Sequence, residues 1–358
     1  MEIPAQINFH QKATSPDHGI GLLVFFIPGN PGSIEYYRAT LEKIFSILKA
    51  QDQGECNDLT VFGSSLVGFD NHADDGTPYI RTDHQYRQPL GLESQTAFVL
   101  KTLFAVLDFL ELPHRVVLVG HSIGAYIALK LIEQARHTSS IHNNANIVGG
   151  ISLFPTVVDI AKSPTGLIAA PILRFPLFPT LIHYISRPLQ LLPLSDLIRI
   201  VRYTTGMQLP AATTTAKFLH SPHGVQQALH LAADEMRSVT TDRWDDPFWG
   251  MSAAKDGAVA TGAAVVREVL RSTEAQSSKS PGLFFYWGAE DHWVANSTRD
   301  VLIAKRGRGA VATAGEEGKP VMEIDGHGIP HAFPLKPTHS RIVAKKVAGW
   351  IIEIQAER

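Results

Sequence analysis

Short runs of apolar residues without polar alternation recur along this chain, and each ends in residues typical of turns. A run without alternation suits a parallel strand in a sheet that helices cover on both faces. Helical patterns in residues 35–50 and 92–112 supply crossovers between such strands. The pattern therefore predicts an α/β fold with a mostly parallel, doubly wound sheet. The predicted strands cover residues 21–27, 59–63, 116–119, 147–154, 283–287 and 321–324.

This rhythm stops between residues 156 and 281, a gap far longer than an ordinary crossover. Its first part, residues 167–201, is strongly apolar, but the prolines within it exclude one long helix. The segment is therefore expected to form several short apolar helices. We therefore predict that residues 1–155 and 282–358 form one sheet domain, and that residues 156–281 form an inserted helical cap.

The net charge of the chain limits the classes of partner that it is expected to bind. Its 358 residues carry a formal net charge of −2, and Lys and Arg are scattered, which argues against a nucleic-acid partner. No charge-free apolar run reaches the roughly 18 residues of a transmembrane helix, and the first residues lack the pattern of a signal peptide. The single cysteine, Cys56, excludes an internal disulfide. We expect any membrane contact to be peripheral.

Residues 120–124 read Gly-His-Ser-Ile-Gly, directly after the apolar run 116–119 and before a stretch rich in helix formers. In this strand–turn–helix context, G-x-S-x-G describes a nucleophile elbow. The turn is so tight that Ser122 must adopt strained backbone angles. Glycine at both ends of the motif omits side chains that would collide there. Ser122 is therefore the predicted nucleophile.

A serine hydroxyl needs a base within hydrogen-bond reach and a carboxylate that orients that base. In α/β hydrolases the acid and then the histidine follow the serine along the chain, after later strands. Asp291, after the run 283–287, is the favoured acid; Glu290 and Asp159 are rivals. The loop 325–333 after the last predicted strand holds two histidines, His327 and His331, and we favour His331 as the base.

The tetrahedral intermediate of acyl transfer needs backbone N–H donors for its oxyanion. The residue after the nucleophile, Ile123, is one predicted donor. The loop Pro-Gly-Asn-Pro-Gly at 28–32 supplies the second, for which we favour Asn30, since Pro31 has no N–H. This chemistry requires no metal and no organic cofactor.

With these motifs in view, the chain resembles the lipid droplet-associated hydrolase family. The resemblance rests on Ile-Pro-Gly-Asn-Pro-Gly at 27–32, Gly-His-Ser-Ile-Gly at 120–124, Phe-Pro-Thr at 154–156 and Ile-Pro-His-Ala-Phe at 329–333. It implies an α/β-hydrolase fold and a serine-hydrolase triad of Ser122, Asp291 and His331. It also implies association with lipid droplets and the endoplasmic reticulum, and esters of sterols or other neutral lipids as substrates. The polar stretch 70–88 departs from the family pattern.

Three interpretations compete for residues 167–201: packing on the sheet domain, lining of an acyl pocket, or insertion into a phospholipid monolayer. Together with the resemblance, the sequence favours a droplet or membrane surface at the cytosolic face. The leading hypothesis is a serine esterase that acts on hydrophobic lipid esters at such a surface. The alternatives are a droplet-organising or tethering protein with little turnover, and a lipid acyltransferase that uses the same nucleophile.

Overall fold

The computed structural model describes residues 5–12, 20–51, 58–69, 89–110, 113–137, 145–175, 177–251, 281–309 and 318–356. The polar stretch 70–88 and Cys56 lie outside these residues. A seven-stranded sheet forms the centre of the described part. Its strands are β1 (Gln6–Gln11), β2 (Gly21–Ile27), β3 (Leu59–Ser64), β4 (His114–His121), β5 (Ala145–Leu153), β6 (Gly282–Trp287) and β7 (Val321–Ile324).

The strand order is β1-β3-β2-β4-β5-β6-β7, and every neighbouring pair is parallel except β1 with β3. All six predicted strands are present. Strand β1 was not predicted, although Ile7 and Phe9 alternate with polar residues in it. Strand β1 is an antiparallel strand at the edge of the sheet. Such a strand can have apolar residues at alternate positions only, whereas a central parallel strand is apolar throughout.

Helices cover both faces of the sheet, as the uninterrupted apolar runs require. Leu23, Phe25 and Ile27 of β2 pack into one core with helices α2 (Leu92–Phe109) and α3 (Ile123–His137). Leu22, Val24 and Phe26 face the opposite core, which includes α1 (Arg38–Gln51) and the last helix, α10 (Pro337–Ala356). Successive side chains of a strand point to opposite faces, so a wholly apolar strand belongs to two cores.

Between β5 and β6, the described chain contains mostly helix. The helices are α4 (Pro164–Leu173), α5 (Phe178–Ser186), α6 (Leu194–Thr205), α7 (Leu209–His220) and α8 (Gly224–Ser238). Helix α9 (Asn296–Arg306) follows β6. We keep the name cap for residues 156–281. The helical cap agrees with the sequence, while its boundaries at 156 and 281 stay a prediction.

The cap exposes far more apolar surface than the sheet domain. The most exposed of its large apolar side chains are Leu177, Leu191 and Tyr203, at 75, 86 and 93 %. No single helix in the described ranges is long and apolar enough to cross a membrane. By length and composition, the pair Pro164–Leu173 and Phe178–Leu191 passes that test together, with a bend of 94° between its two parts.

Candidate active site

Ser122 lies in the turn between β4 and α3 with φ of 54°, in the left-handed region that non-glycine residues rarely adopt. Its backbone N–H donates to the carbonyl of Leu153 at 3.0 Å, and its carbonyl accepts from Ala125 N–H at 3.0 Å. These bonds hold a conformation that costs about 1–3 kcal/mol by itself. The turn has the strain expected of a nucleophile elbow.

The two glycines of the motif are required for different reasons. A Cβ on Gly120 would collide with the backbone of Gly124 and Ala125, across the turn itself. A Cβ on Gly124 would collide instead with the carbonyls of Ile27 and Pro28, at the end of β2. The second glycine therefore permits close approach of the loop at 28–32, which the sequence motif alone did not indicate.

The structure brings Ser122, His331 and Asp291 together in one hydrogen-bonded chain. His331 Nε2 lies 2.9 Å from Ser122 Oγ, and His331 Nδ1 lies 2.8 Å from Asp291 Oδ2. Since a carboxylate only accepts, Nδ1–H donates to Asp291, which leaves Nε2 to accept the proton of the serine hydroxyl. This tautomer is the one that a general base for Ser122 needs.

The carboxylate of Asp291 is held from both sides. It is 6 % exposed, and its second oxygen accepts from Trp293 N–H at 2.8 Å. Buried Arg299, on α9, donates to the carbonyls of Gly288 and Ala289 at 2.8 Å and so fixes the loop that leads to Asp291. The sequence did not identify Arg299, because its partners are backbone oxygens that leave no motif.

The rival acids are engaged elsewhere. The carboxylate of Glu290 accepts from the side-chain amide of Asn296 at 3.4 Å, on the exposed side of the loop. Asp159 pairs with Lys162 at 3.0 Å. His327, the rival base, is exposed. Of the two histidines in the loop 325–333, His331 is therefore the one that reaches Ser122.

Aromatic side chains enclose the imidazole of His331. Phe154, just after β5, is fully buried and its ring centroid lies 6.3 Å from that of His331. Phe333 stacks on Phe154 at 5.5 Å, and Trp293 approaches His331 at 6.4 Å. These rings restrict the imidazole to one orientation. They also exclude water from much of its surface, since the side chain of His331 is 13 % exposed.

A second buried histidine connects the loops on either side of the elbow. His121 Nε2 lies 3.0 Å from the carbonyl of His331, and its Nδ1 lies 2.7 Å from the hydroxyl of Tyr37, which accepts from Gly29 N–H at 3.1 Å. Burial lowers the pKa of His121 well below its ordinary value, and nearby His331 lowers it further. Neutral His121 therefore donates from Nε2 and accepts the Tyr37 proton at Nδ1.

The predicted oxyanion donors lie beside Ser122. A Cβ on Gly29 would stand only 2.9 Å from the Ser122 Cβ, so the loop at 28–32 covers the nucleophile. Ile123 is fully buried at the start of α3. The side-chain amide of Asn30 donates to Ala228 O at 2.9 Å and to Glu235 Oε1 at 3.1 Å, both on α8. The donor roles of the Asn30 and Ile123 N–H groups remain proposals.

Partners far apart in sequence explain why Tyr37, His121 and Glu235 escaped sequence reasoning. Tyr37 and His121 are separated by 84 positions, and Asn30 and Glu235 by 205. Only His121 had a possible signal, because it occupies the variable position next to the serine in the motif. Within the described ranges, no group of three or more His, Cys, Asp or Glu side chains is placed to hold a metal ion.

The sheet and the turn at Ser122 define a protein of the α/β-hydrolase fold. Among solved structures, haloalkane dehalogenase DatA from Agrobacterium tumefaciens superimposes with a TM-score of 0.53 at 15 % identity, over 99 % of this chain and 96 % of that one. The sequence profile of the lipid-droplet associated hydrolase family matches residues 21–334. The chain belongs to this family, which confirms the resemblance.

Two named relatives show how far the likeness extends. The lipid droplet-associated hydrolase of Rattus norvegicus is 25 % identical over 351 residues, which cover 95 % of this chain and 86 % of the relative. Its counterpart from Drosophila melanogaster is 25 % identical over 334 residues, which cover 92 % and 88 %. Family membership and fold together support a hydrolase.

Proposed function

We propose that this protein is a serine hydrolase that cleaves carboxylic esters of hydrophobic lipids through an acyl-enzyme. The observation that carries the proposal is the continuous chain from Ser122 Oγ through His331 to Asp291, at 2.9 and 2.8 Å. A nucleophile, its base and an orienting carboxylate within direct hydrogen-bond reach are the arrangement that acyl transfer requires.

In the proposed reaction, Ser122 Oγ attacks the ester carbonyl while His331 Nε2 takes the serine proton. Asp291 stabilises the imidazolium that forms, and the N–H groups of Asn30 and Ile123 receive the oxyanion. His331 then gives its proton to the leaving alcohol as the ester C–O bond breaks. A water molecule, deprotonated by His331, attacks the acyl-enzyme, and the acid departs as Ser122 regains its proton.

The exposed apolar side chains of the cap support the proposal that the protein acts at a lipid surface. Residues 167–201 of the cap carry exposed apolar side chains, and the bent helix pair Pro164–Leu173 and Phe178–Leu191, which overlaps them, suits a segment that enters one leaflet without crossing a bilayer. The relatives are named for lipid droplets. A cavity of 460 Å³ between the start of α4 and the acid loop is lined by Leu167, Val294 and Asp291. It lies between the exposed cap helix and Asp291, the acid of the proposed triad.

The finer assignments rest on the same reasoning. The substrates would be sterol esters or acylglycerols. The protein would act at the cytosolic face of lipid droplets and of the endoplasmic reticulum, and it would reach the droplets from the endoplasmic reticulum. Release of fatty acid from emulsified cholesteryl oleate and triolein, compared with p-nitrophenyl butyrate in solution, tests this substrate class. Preference for the soluble ester, with neither lipid cleaved, would contradict it.

The nucleophile is tested with a fluorophosphonate probe, which labels activated serines. We expect the purified protein to be labelled, Ser122→Ala to lose all labelling, and Ser46→Ala, an exposed serine on α1, to keep it. An unlabelled wild-type protein would contradict the proposal and favour a droplet-organising role. Labelling with transfer of the acyl group to an alcohol, in preference to water, would favour an acyltransferase.

A further inference from the structure

Helix α8 makes polar contacts with the sheet domain at two places away from the nucleophile. Gln227 exchanges two hydrogen bonds of 2.8 Å with the backbone of Leu90. The carboxylate of Asp234 accepts from the N–H of Leu92 at 2.7 Å, at the start of α2. These contacts seat the cap on the sheet domain without touching the loop at 28–32.

A third contact of α8 does reach that loop. The side-chain amide of Asn30 donates both of its protons to α8, to the carbonyl of Ala228 and to Glu235 Oε1. The other amide atom, Asn30 Oδ1, is buried and has no hydrogen-bond partner among the described residues. Asn30 also carries the backbone N–H proposed as an oxyanion donor, so whatever holds its side chain helps to hold that N–H.

We propose that Glu235 is a positioning residue that fastens α8 to the oxyanion loop through Asn30, so that the seating of the cap sets the geometry of the oxyanion site. The inference rests on the proposed function. It assigns to the cap a contribution to the chemical step, in addition to contact with a lipid surface.

The protonation of Glu235 completes this link. Burial raises the pKa of the Glu235 carboxyl to about 8; the hydrogen bond from Asn30 opposes the rise and the charge of Asp234, on the same helix, adds to it. The charged group that contributes to this shift is Asp234, on α8 itself; helices α2, α4, α5 and α7 and residues 160–162 also pack against α8. A neutral carboxyl keeps an O–H donor on the residue that Asn30 contacts, and ionisation removes that donor and adds a negative charge.

Kinetics with p-nitrophenyl butyrate test the proposal. We expect Glu235→Ala to lower kcat about 10- to 100-fold with KM within about twofold, since a small displacement of a catalytic donor acts on the transition state. Glu235→Gln keeps an acceptor and a donor in the same places and should retain wild-type kcat. Asp234→Asn is the matched control on the same helix: its amide oxygen can still accept from the Leu92 N–H, so α8 keeps its seat and kcat at neutral pH should be retained.

Asn30→Ala keeps the backbone N–H but removes the link. Combined with Glu235→Ala, it should lower kcat no further than Asn30→Ala alone, because Asn30→Ala already removes the hydrogen bond to Glu235. Above pH 8 the wild type should lose kcat as Glu235 ionises, and Glu235→Gln should lack this alkaline decline. Equal pH profiles, additive effects, or an unchanged kcat in folded Glu235→Ala would overturn the proposal. Each of these outcomes would leave the proposed hydrolase activity standing. A wild-type protein that the fluorophosphonate probe does not label at Ser122 would contradict the proposed function itself.

Discussion

The carboxyl edge of the sheet and the cap face of residues 167–201 differ in how exposed their side chains are and in whether these side chains have fixed partners. At the sheet edge, each polar group of the triad has a partner, and Ser122 and Asp291 are each 6 % exposed. At the cap face, Ile168, Phe175 and Leu177 are more than 70 % exposed. Chemistry requires fixed geometry, whereas attachment to a fluid surface requires apolar area without fixed partners. The two regions should therefore respond to different substitutions.

The largest difference between the two regions is expected from the two histidines of the loop 325–333. His331→Ala should lower kcat for p-nitrophenyl butyrate about 10⁴-fold, near 5.5 kcal/mol, because it removes the imidazole nitrogen that lies 2.9 Å from Ser122 Oγ. His327→Ala should leave kcat within about twofold, since this side chain is exposed and away from Ser122. Binding to lipid vesicles should be unchanged in both variants. Full activity of His331→Ala would contradict the assignment.

Substitutions in the cap should weaken binding to lipid vesicles and leave hydrolysis of a soluble ester unchanged. Phe175→Ser combined with Leu177→Ser should weaken partitioning onto phosphatidylcholine vesicles about 100-fold, near 3 kcal/mol, through lost apolar burial. Cleavage of the soluble ester should be preserved. Phe109→Ser is the matched control, because this residue of α2 is 78 % exposed yet lies outside the cap. Sedimentation with vesicles measures both; equal losses in the control would remove the special role of the cap.

The bond network behind the elbow predicts a smaller effect on stability. Tyr37→Phe removes the hydroxyl that donates to His121 and accepts from Gly29 N–H. Leaving these two buried groups without a partner should lower the free energy of unfolding by about 1–3 kcal/mol. Urea denaturation measures the loss. Tyr203→Phe, which removes an exposed hydroxyl from the cap, should leave stability unchanged; a loss in that variant alone would reverse the expectation.

The smallest predicted effect is on the pH dependence of stability. The folded protein keeps His121 neutral, while the unfolded chain takes up a proton there below about pH 6.5. Stability from this residue is therefore present above pH 6.5 and falls as the pH drops, by up to about 1.4 kcal/mol per unit. His121→Gln, which retains a donor and an acceptor, should show a shallower fall between pH 6.5 and 5. Identical slopes would indicate that His121 takes up the proton in the folded protein too.

Sequence reasoning predicted the central strands, the turn at Ser122 and the three residues that the structure places in one hydrogen-bonded chain, because each belongs to a local pattern; their catalytic roles stay a prediction. An apolar run, a glycine spacing and a polar residue after a strand are all visible within a few positions. It could not reach the contacts that assemble the site from distant parts. Arg299 binds backbone carbonyls, Tyr37 meets His121, and Glu235 meets Asn30 only after the cap has folded onto the sheet.

The hydrogen-bonded pairing of β5 with β6 has a consequence for how this chain can change over evolutionary time. Phe154 N–H, at the end of β5, donates to the carbonyl of Tyr286 in β6 at 2.7 Å, so the two ends of the inserted segment are joined at one point of the sheet. The entropy of closing such a loop grows only with the logarithm of its length, about 0.6 kcal/mol for each doubling. The segment can therefore change in length at little cost in loop-closure entropy, as long as α8 keeps its contacts with Asn30, Leu90 and Leu92.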